Sequence, residues 1–340
     1  MMRGATARRG RAWVAMLVAV LVAGQATPAL AYLKFGFELN GRSVTLKWTR
    51  TPIRYFISNR GVAGVSAGDF QSAVSRAFTT WESVPTSSIS YSFAGLTSSV
   101  PGEDDGRSTL GFVSHPELDR VLASTSYLVD EVTGDLLEAD IFFNATYAWS
   151  VAPSGDRTRW DVESIALHEI GHLSGLGHSA IGETELSTAG RRVSSSGAVM
   201  FPIALGAGDI SGRRLSPDDI AGISDLYRDG GFDRELGSIS GVVTKAGRGL
   251  FGAHVVAFDL GSGQQVGNFS LNDQGEFSIA GLRPGPHLIR VEPLDDADVE
   301  SFFDVGEPLD IQFGVTYVDR LVVVPRGGDS GIVRIEVSPR

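Results

Sequence analysis

Residues 168–178 read His-Glu-Ile-Gly-His-Leu-Ser-Gly-Leu-Gly-His, and few folds can accommodate that run. On a helix, residues four apart share a face, so His168 and His172 can aim their imidazoles at one point. Gly175 is where such a helix can stop, because glycine enters the left-handed region without a Cβ penalty. The chain then turns back and brings His178 to the same point. Three nitrogen donors suit zinc, and a fourth position left open for water is the mark of a catalytic site rather than a structural one. Glu169, next to the first ligand, is placed to take a proton from that water and pass it to a departing amine. A bare His-Glu-x-x-His arises by chance, but the added Gly and third His cut the coincidence by roughly a thousandfold at typical residue frequencies.

Other chemistries are excluded by composition. The 340 residues contain no cysteine, which removes disulfides, thiolate ligands and a thiol nucleophile. Residues 1–31 carry Arg3, Arg8, Arg9 and Arg11, an apolar run over 13–23, and Ala29-Leu30-Ala31. That order predicts an export signal peptide cleaved before Tyr32, the apolar run being too short for a membrane anchor. Beyond it stand 25 Lys and Arg against 40 Asp and Glu, a net of −15. Such a surface argues against nucleic acid as a partner. The expected product is a secreted protein with no membrane anchor; its oligomeric state is not legible.

Two textures follow along the chain. Residues 32–232 mix strands with three helices, an α+β pattern. Ser66 and Asp69 predict a helix start, and Phe70, Val74, Ala77, Phe78 and Trp81 recur on one helical face. Strands are expected at 53–57 and 89–93, and a hairpin should join 125–130 to 136–144. Asp161 caps the helix that carries the histidines, and Ser216-Pro217-Asp218-Asp219 opens the last one. After a joint at 227–232, residues 237–340 show only short strands and Gly-rich turns. His115, His254 and His287 have no paired ligand spacing and read as surface or packing residues.

The zinc motif resembles that of the metzincin metalloproteases, and Ser179 after the third His is the choice of the matrixin branch. Met200, 22 residues beyond His178 and followed by Phe201-Pro202, is similar to the family's Met-turn, in which a Met side chain underlies the zinc. Residues 214–223 are similar to the family's last helix. The resemblance implies a twisted mixed sheet with an active-site helix and one catalytic Zn2+. It also implies endopeptidase activity on a protein or peptide laid along an edge strand within 123–129. Residues 201–203 would wall a pocket for an apolar side chain or else serve as packing.

Only His115 is available for the structural zinc common in relatives, so none is expected. No Cys is present for a propeptide switch, and residues 32–46 are too short for a folded prodomain. Calcium follows from the resemblance alone: residues 103–105, 130–131 and 135 offer acidic oxygens without fixed ligand spacing. Residues 237–340 resemble carboxypeptidase-regulatory-like modules, small β-sandwiches of the transthyretin type, serving stability or adhesion. An alternative from another class stays open: a non-catalytic secreted binding protein whose zinc only braces the fold.

Overall fold

The computed structural model describes residues 34–39, 42–187, 190–294, 302–303 and 309–340. The expected signal peptide at 1–31 lies outside them. The chain begins with a small hairpin of β1 (Gly36–Leu39) and β2 (Arg42–Thr45). Just before it, Lys34 donates to Asp225 at 2.5 Å, and both side chains are buried. Burial lowers the Lys34 pKa, while the Asp225 carboxylate acts against that.

A five-stranded sheet forms the first layer. Its members are β3 (Ile53–Ser58), β4 (Tyr91–Thr97), β5 (Ser108–Val113), β6 (Ala123–Val129) and β7 (Leu136–Asn144), in the order β4-β3-β5-β7-β6. All neighbours are parallel except β6, which runs antiparallel to β7 at one edge. The edge strand is thus the segment expected to meet substrate. The first strand begins at Ile53, and β4 sits two residues later than its sequence pattern implies. Residues 89 and 90 lead in from Ser88, whose N–H is donated to the Tyr227 carbonyl.

Helix α1 (Ala67–Glu82) lies on this sheet. Ser66 caps it by accepting from the Asp69 N–H, and its buried face carries the five expected apolar residues together with Ala73. Tyr55 stacks on Phe78 at 3.8 Å, and Phe70 meets Phe143 edge-on. The short strands β8 (Trp149–Ser150) and β9 (Trp160–Asp161) pair just before α2 (Val162–Leu173). The Trp81 indole N–H donates to the Leu167 carbonyl at 2.8 Å, joining α1 to α2. One core holds both helices, the sheet and Met200.

A second hairpin, β10 (Gly182–Ser187) with β11 (Gly190–Ser196), stands between the third His and Met200. The sequence pattern did not announce it. Helix α3 (Pro217–Leu226) follows, capped by Ser216 and Asp219 in a reciprocal box, and then the single turn α4 (Phe232–Glu235).

From Gly237 on, every regular element among the described residues is a strand. They are β12 (Gly237–Lys245), β13 (Arg248–Gly249), β14 (His254–Asp259), β15 (Gln265–Phe269), β16 (Glu276–Leu282), β17 (Gly285–Glu292), β18 (Thr316–Tyr317), β19 (Val322–Val324) and β20 (Asp329–Val337). One sheet is centred on β12, flanked by β13, β16 and the parallel β20; the other runs β15-β14-β17 with β18 and β19 on β17. Apolar residues of both sheets, among them Ile239, Val255, Ile279 and Ile289, join one core. Phe302 and Phe303, within the stretch expected to hold only short strands and turns, are a turn and a bend.

The two regions touch closely. Ala221 of α3 and Phe232 of α4 belong to the second core. Gly281 lies so near α3 that a Cβ there would stand 2.8 Å from the Ala221 methyl. Ile181 and Ala198 pack on Val256 of β14.

Candidate metal centre

Helix α2 is fixed at its start by Asp161, whose carboxylate accepts from the Ser164 N–H at 2.9 Å and from Arg213. It stops as its glycine demands. Gly175 has φ +98, and the Leu176 N–H reaches back to the Gly171 carbonyl at 3.1 Å. This is the wrapped helix end that a left-handed residue permits. A Cβ on Gly175 would stand 2.6 Å from the Leu46 carbonyl, so the β1–β2 hairpin also presses on this turn. Three residues later the chain delivers His178.

The three imidazoles converge. Ring centroids are 4.7 Å apart for His168 and His172, 4.7 Å for His172 and His178, and 5.4 Å for His168 and His178. His168 Nδ1 lies 2.7 Å from the Val199 carbonyl, and His172 Nδ1 lies 2.8 Å from the Leu176 carbonyl. A carbonyl only accepts, so each Nδ1 carries the hydrogen and each Nε2 keeps its lone pair. His172 Nε2 and His178 Nε2 stand 3.2 Å apart. Two nitrogens at about 2.0–2.1 Å from a tetrahedral zinc are about 3.3 Å apart, so the donor set fits that ion. Burial lowers the pKa of His168 and lowers that of His172 further, with the other two imidazoles adding to the effect. Both are therefore held neutral, the form that binds metal. Among the described residues, these histidines are the one group of three or more His, Asp or Glu donors lying within 4.8 Å of one another.

Beneath them sits Met200, 2% exposed. A Cβ on Gly171 would stand 2.2 Å from its sulfur and 2.9 Å from the Trp81 ring, so the missing side chain is what admits Met200 under the helix. The turn that carries Met200 is held from α3. Asp219 accepts from the Val199 and Met200 N–H groups at 2.9 and 3.0 Å, and from Ser216 at 2.8 Å. The carboxylate that caps α3 therefore also orients the carbonyl that fixes His168. From sequence, Asp219 reads only as a helix-capping acid; the capping box was the one available signal.

Glu169 is buried, and Thr125 of β6 donates to its Oε2 at 2.7 Å. Loss of hydration pushes the Glu169 pKa up to about 7, and the Thr125 bond opposes this. Thr125 is a site residue that the motif does not point to. Its signal is its place on the edge strand beside α2. Ser179 donates to Asp218 at 2.5 Å, and Asp218 also accepts from the Gly267 N–H of β15 at 2.8 Å.

The remaining sequence candidates fall elsewhere. His115 pairs with Glu117 at 2.7 Å, while His254 and His287 are buried within β14 and β17 as packing residues. Phe201 is 4% exposed with its ring against Gly182, so it packs rather than lines a pocket. The acidic loops keep their carboxylates on neighbouring groups: Asp130 accepts from Val132 and Thr133, Asp135 from Thr49, and Asp105 from Ser99 and Arg107. No described helix is long and apolar enough to cross a membrane.

The sequence is similar to those of several known proteins. Metalloendoproteinase 5-MMP of Arabidopsis thaliana is 32% identical over 162 residues, covering 45% of this chain and 38% of that protein. Stromelysin-1 of Rattus norvegicus is 29% identical over 184 residues, covering 53% and 33% respectively. Metalloendoproteinase 1 of Glycine max is 31% identical over 179 residues, covering 46% and 45%. The chain spans less than half the length of these relatives. The Matrixin (peptidase M10) family pattern matches residues 47–228, more than half of the sequence and all of the metal centre, and the chain belongs to the matrixin family.

Proposed function

We propose that this chain is an exported zinc endopeptidase that hydrolyses peptide bonds, with His168, His172 and His178 as zinc ligands and Glu169 as general base. The observation that carries this reading is the convergence of three imidazoles beside a buried carboxylate whose pKa is pushed up to about 7. Zinc bound there supplies Lewis acidity for polarising the scissile carbonyl and acidifying water. Thr125 holds Oε2 of Glu169, which leaves Oε1 to accept the proton of the attacking water and return it to the leaving amine. A carboxylate with a pKa near the working pH serves both transfers well. Substrate would pair along the edge strand β6, which also supplies Thr125. Residues 237–340 would form a transthyretin-type β-sandwich module, and the acidic surface disfavours nucleic acid as a partner.

Glu169→Gln tests the reading. It keeps all three ligands, so the variant should retain about one zinc per chain while turnover falls by ~10²–10⁴. Unchanged cleavage would rule out Glu169 as base. Wild-type protein that binds zinc yet cleaves no peptide would favour the non-catalytic alternative, in which zinc only braces the fold.

A further inference from the structure

Phe302 belongs to the β-rich second region, yet its ring centroid lies 6.1 Å from that of His178, edge to face. It is half-buried, as is His178, whereas its neighbour Phe303 is buried. The ring is backed rather than loose. Phe269 of β15 lies 5.8 Å behind it, Phe303 packs on Phe269 at 5.1 Å, and Phe251 packs on Phe303 at 5.3 Å. Ala180, two residues after the third histidine, joins the same cluster.

Two further contacts hold this part of the second region against the loop after His178. Ile181 packs on Val256 of β14, and Asp218 takes hydrogen bonds from both Ser179 and the Gly267 N–H. The second region is thereby anchored within three residues of a zinc ligand on the chain. A half-buried aromatic ring packed on Phe269, next to a half-buried His178, is positioned to touch a side chain bound near the three histidines. It offers no charge and no hydrogen bond. The side chain it would recognise is apolar and bulky, attracted by buried area and ring contact.

We propose that Phe302 is a specificity-determining residue: the second region supplies one wall of the substrate cleft on the His178 side, and that wall selects peptides carrying a bulky apolar side chain there. The inference rests on the hydrolase reading above. Hydrophobic contacts of this kind discriminate by about 10–200-fold for each methylene-sized change.

The experiment uses the full chain with Phe302→Ala, Phe302→Leu and Phe251→Ala. Each is measured for zinc content, for relative kcat/KM across a mixed peptide library, and for affinity toward peptide hydroxamates bearing Gly, Leu or Phe at successive positions. Phe302→Ala should lower kcat/KM about tenfold or more for peptides with a bulky apolar residue at one position, and leave Gly and Ala peptides within about twofold. Hydroxamate affinities should follow the same order. Phe302→Leu should keep zinc and give an intermediate loss for aromatic side chains. Phe251→Ala loosens the same aromatic cluster without reaching His178 and should leave the profile unchanged.

An unaltered profile in zinc-loaded Phe302→Ala or Phe302→Leu overturns the inference while leaving the hydrolase reading intact. An equal profile shift in Phe251→Ala also overturns it, since packing alone would then be the cause. If Phe302→Ala loses zinc, Phe302→Leu decides. Wild-type protein that neither cleaves the library nor binds any hydroxamate defeats both readings together.

Discussion

The two regions of this protein bury different things. Around the metal centre, Glu169, His172, Asp218 and Asp219 are all under 9% exposed. Each is held by specific hydrogen bonds, and the carboxyl pKa values are pushed upward by lost hydration. Beyond Gly237 the core is mainly apolar: Ile239, Val243, Val255, Ile279 and Ile289 are essentially inaccessible, with His254, Asn268 and His287 buried among the strands. Burying ionisable groups costs free energy unless partners or a metal compensate, whereas burying isoleucine stabilises the fold directly. The first region gathers its buried carboxyls at one site, and the second scatters its few buried polar groups through an apolar core. The same kind of perturbation should therefore produce different failures in the two.

Metal removal gives the largest contrast. His172→Ala should abolish zinc binding and reduce peptide cleavage by more than the ~10²–10⁴ typical of losing a general base. A ligand that binds only the folded state stabilises it by about 4 kcal/mol at a thousand times its Kd. Chelation should therefore lower the melting temperature of the first region in particular. Calorimetry with and without chelator measures this. A single transition that shifts as a whole would show that Ala221 and Phe232, which belong to the second core, couple the regions into one cooperative unit. The division near residue 232 would then be only a change of texture.

The converse perturbation is Ile279→Ala. The side chain is fully buried in the second core, so its loss should cost about 2–5 kcal/mol. Zinc stoichiometry and kcat/KM at room temperature should stay near wild type. Denaturant unfolding and metal analysis on the same preparation check both parts. Zinc loss in this variant would break the comparison, because stability of the second region would then be a condition for the site.

Gly171→Ala moves the test back to the first region with a smaller expected effect. The added methyl collides with the Met200 sulfur and the Trp81 ring, and overpacking of this kind costs about 1–3 kcal/mol. Because Met200 lies under the ligands, zinc affinity should fall along with stability. Met200→Leu nearly conserves volume and should cost under about 1.5 kcal/mol. If the two variants behave alike, Gly171 is not what admits Met200 beneath the helix.

The histidine cluster was legible because its spacing is local. Four residues along a helix and a glycine stop place His168, His172 and His178 with no knowledge of the rest of the fold. Helix starts at Ser66, Asp161 and Ser216 were legible for the same reason, a side chain reaching three residues ahead. Thr125 was not legible, because it meets Glu169 across 44 positions only once the sheet has formed. Nor were the β1–β2 and β10–β11 hairpins: the first is pinned by the turn at Gly175, and the second lacks a strong alternating apolar pattern. Phe302 carried no signal, because its nearness to His178 depends on how the two regions pack. Local rules located the histidine cluster, and tertiary packing decided what surrounds it.

The smallest predicted effect lies at the seam between the regions. Asp218 is buried, and its pKa is raised to about 7 mainly by lost hydration; the bonds from Ser179 and Gly267 act in the opposite direction. In the unfolded chain an aspartate titrates near ~3.9. Between those values the folded state keeps a proton that the unfolded state has released, so stability falls as pH rises. The contribution is fully present below about 4 and lost as pH passes through about 7. Asp218→Asn removes this titration, and it can still accept from Gly267 and donate to Ser179. Its melting temperature relative to wild type should therefore rise from pH 5 to pH 8 by an amount on the order of a few degrees and level off above 7. Taking the difference between the two proteins at each pH cancels the histidine and zinc titrations they share. A difference that stays flat from pH 5 to pH 8 would mean that Asp218 does not titrate across this range. The seam's contribution to stability would then be the same at every pH tested, rather than falling as the buried carboxyl ionises away from water.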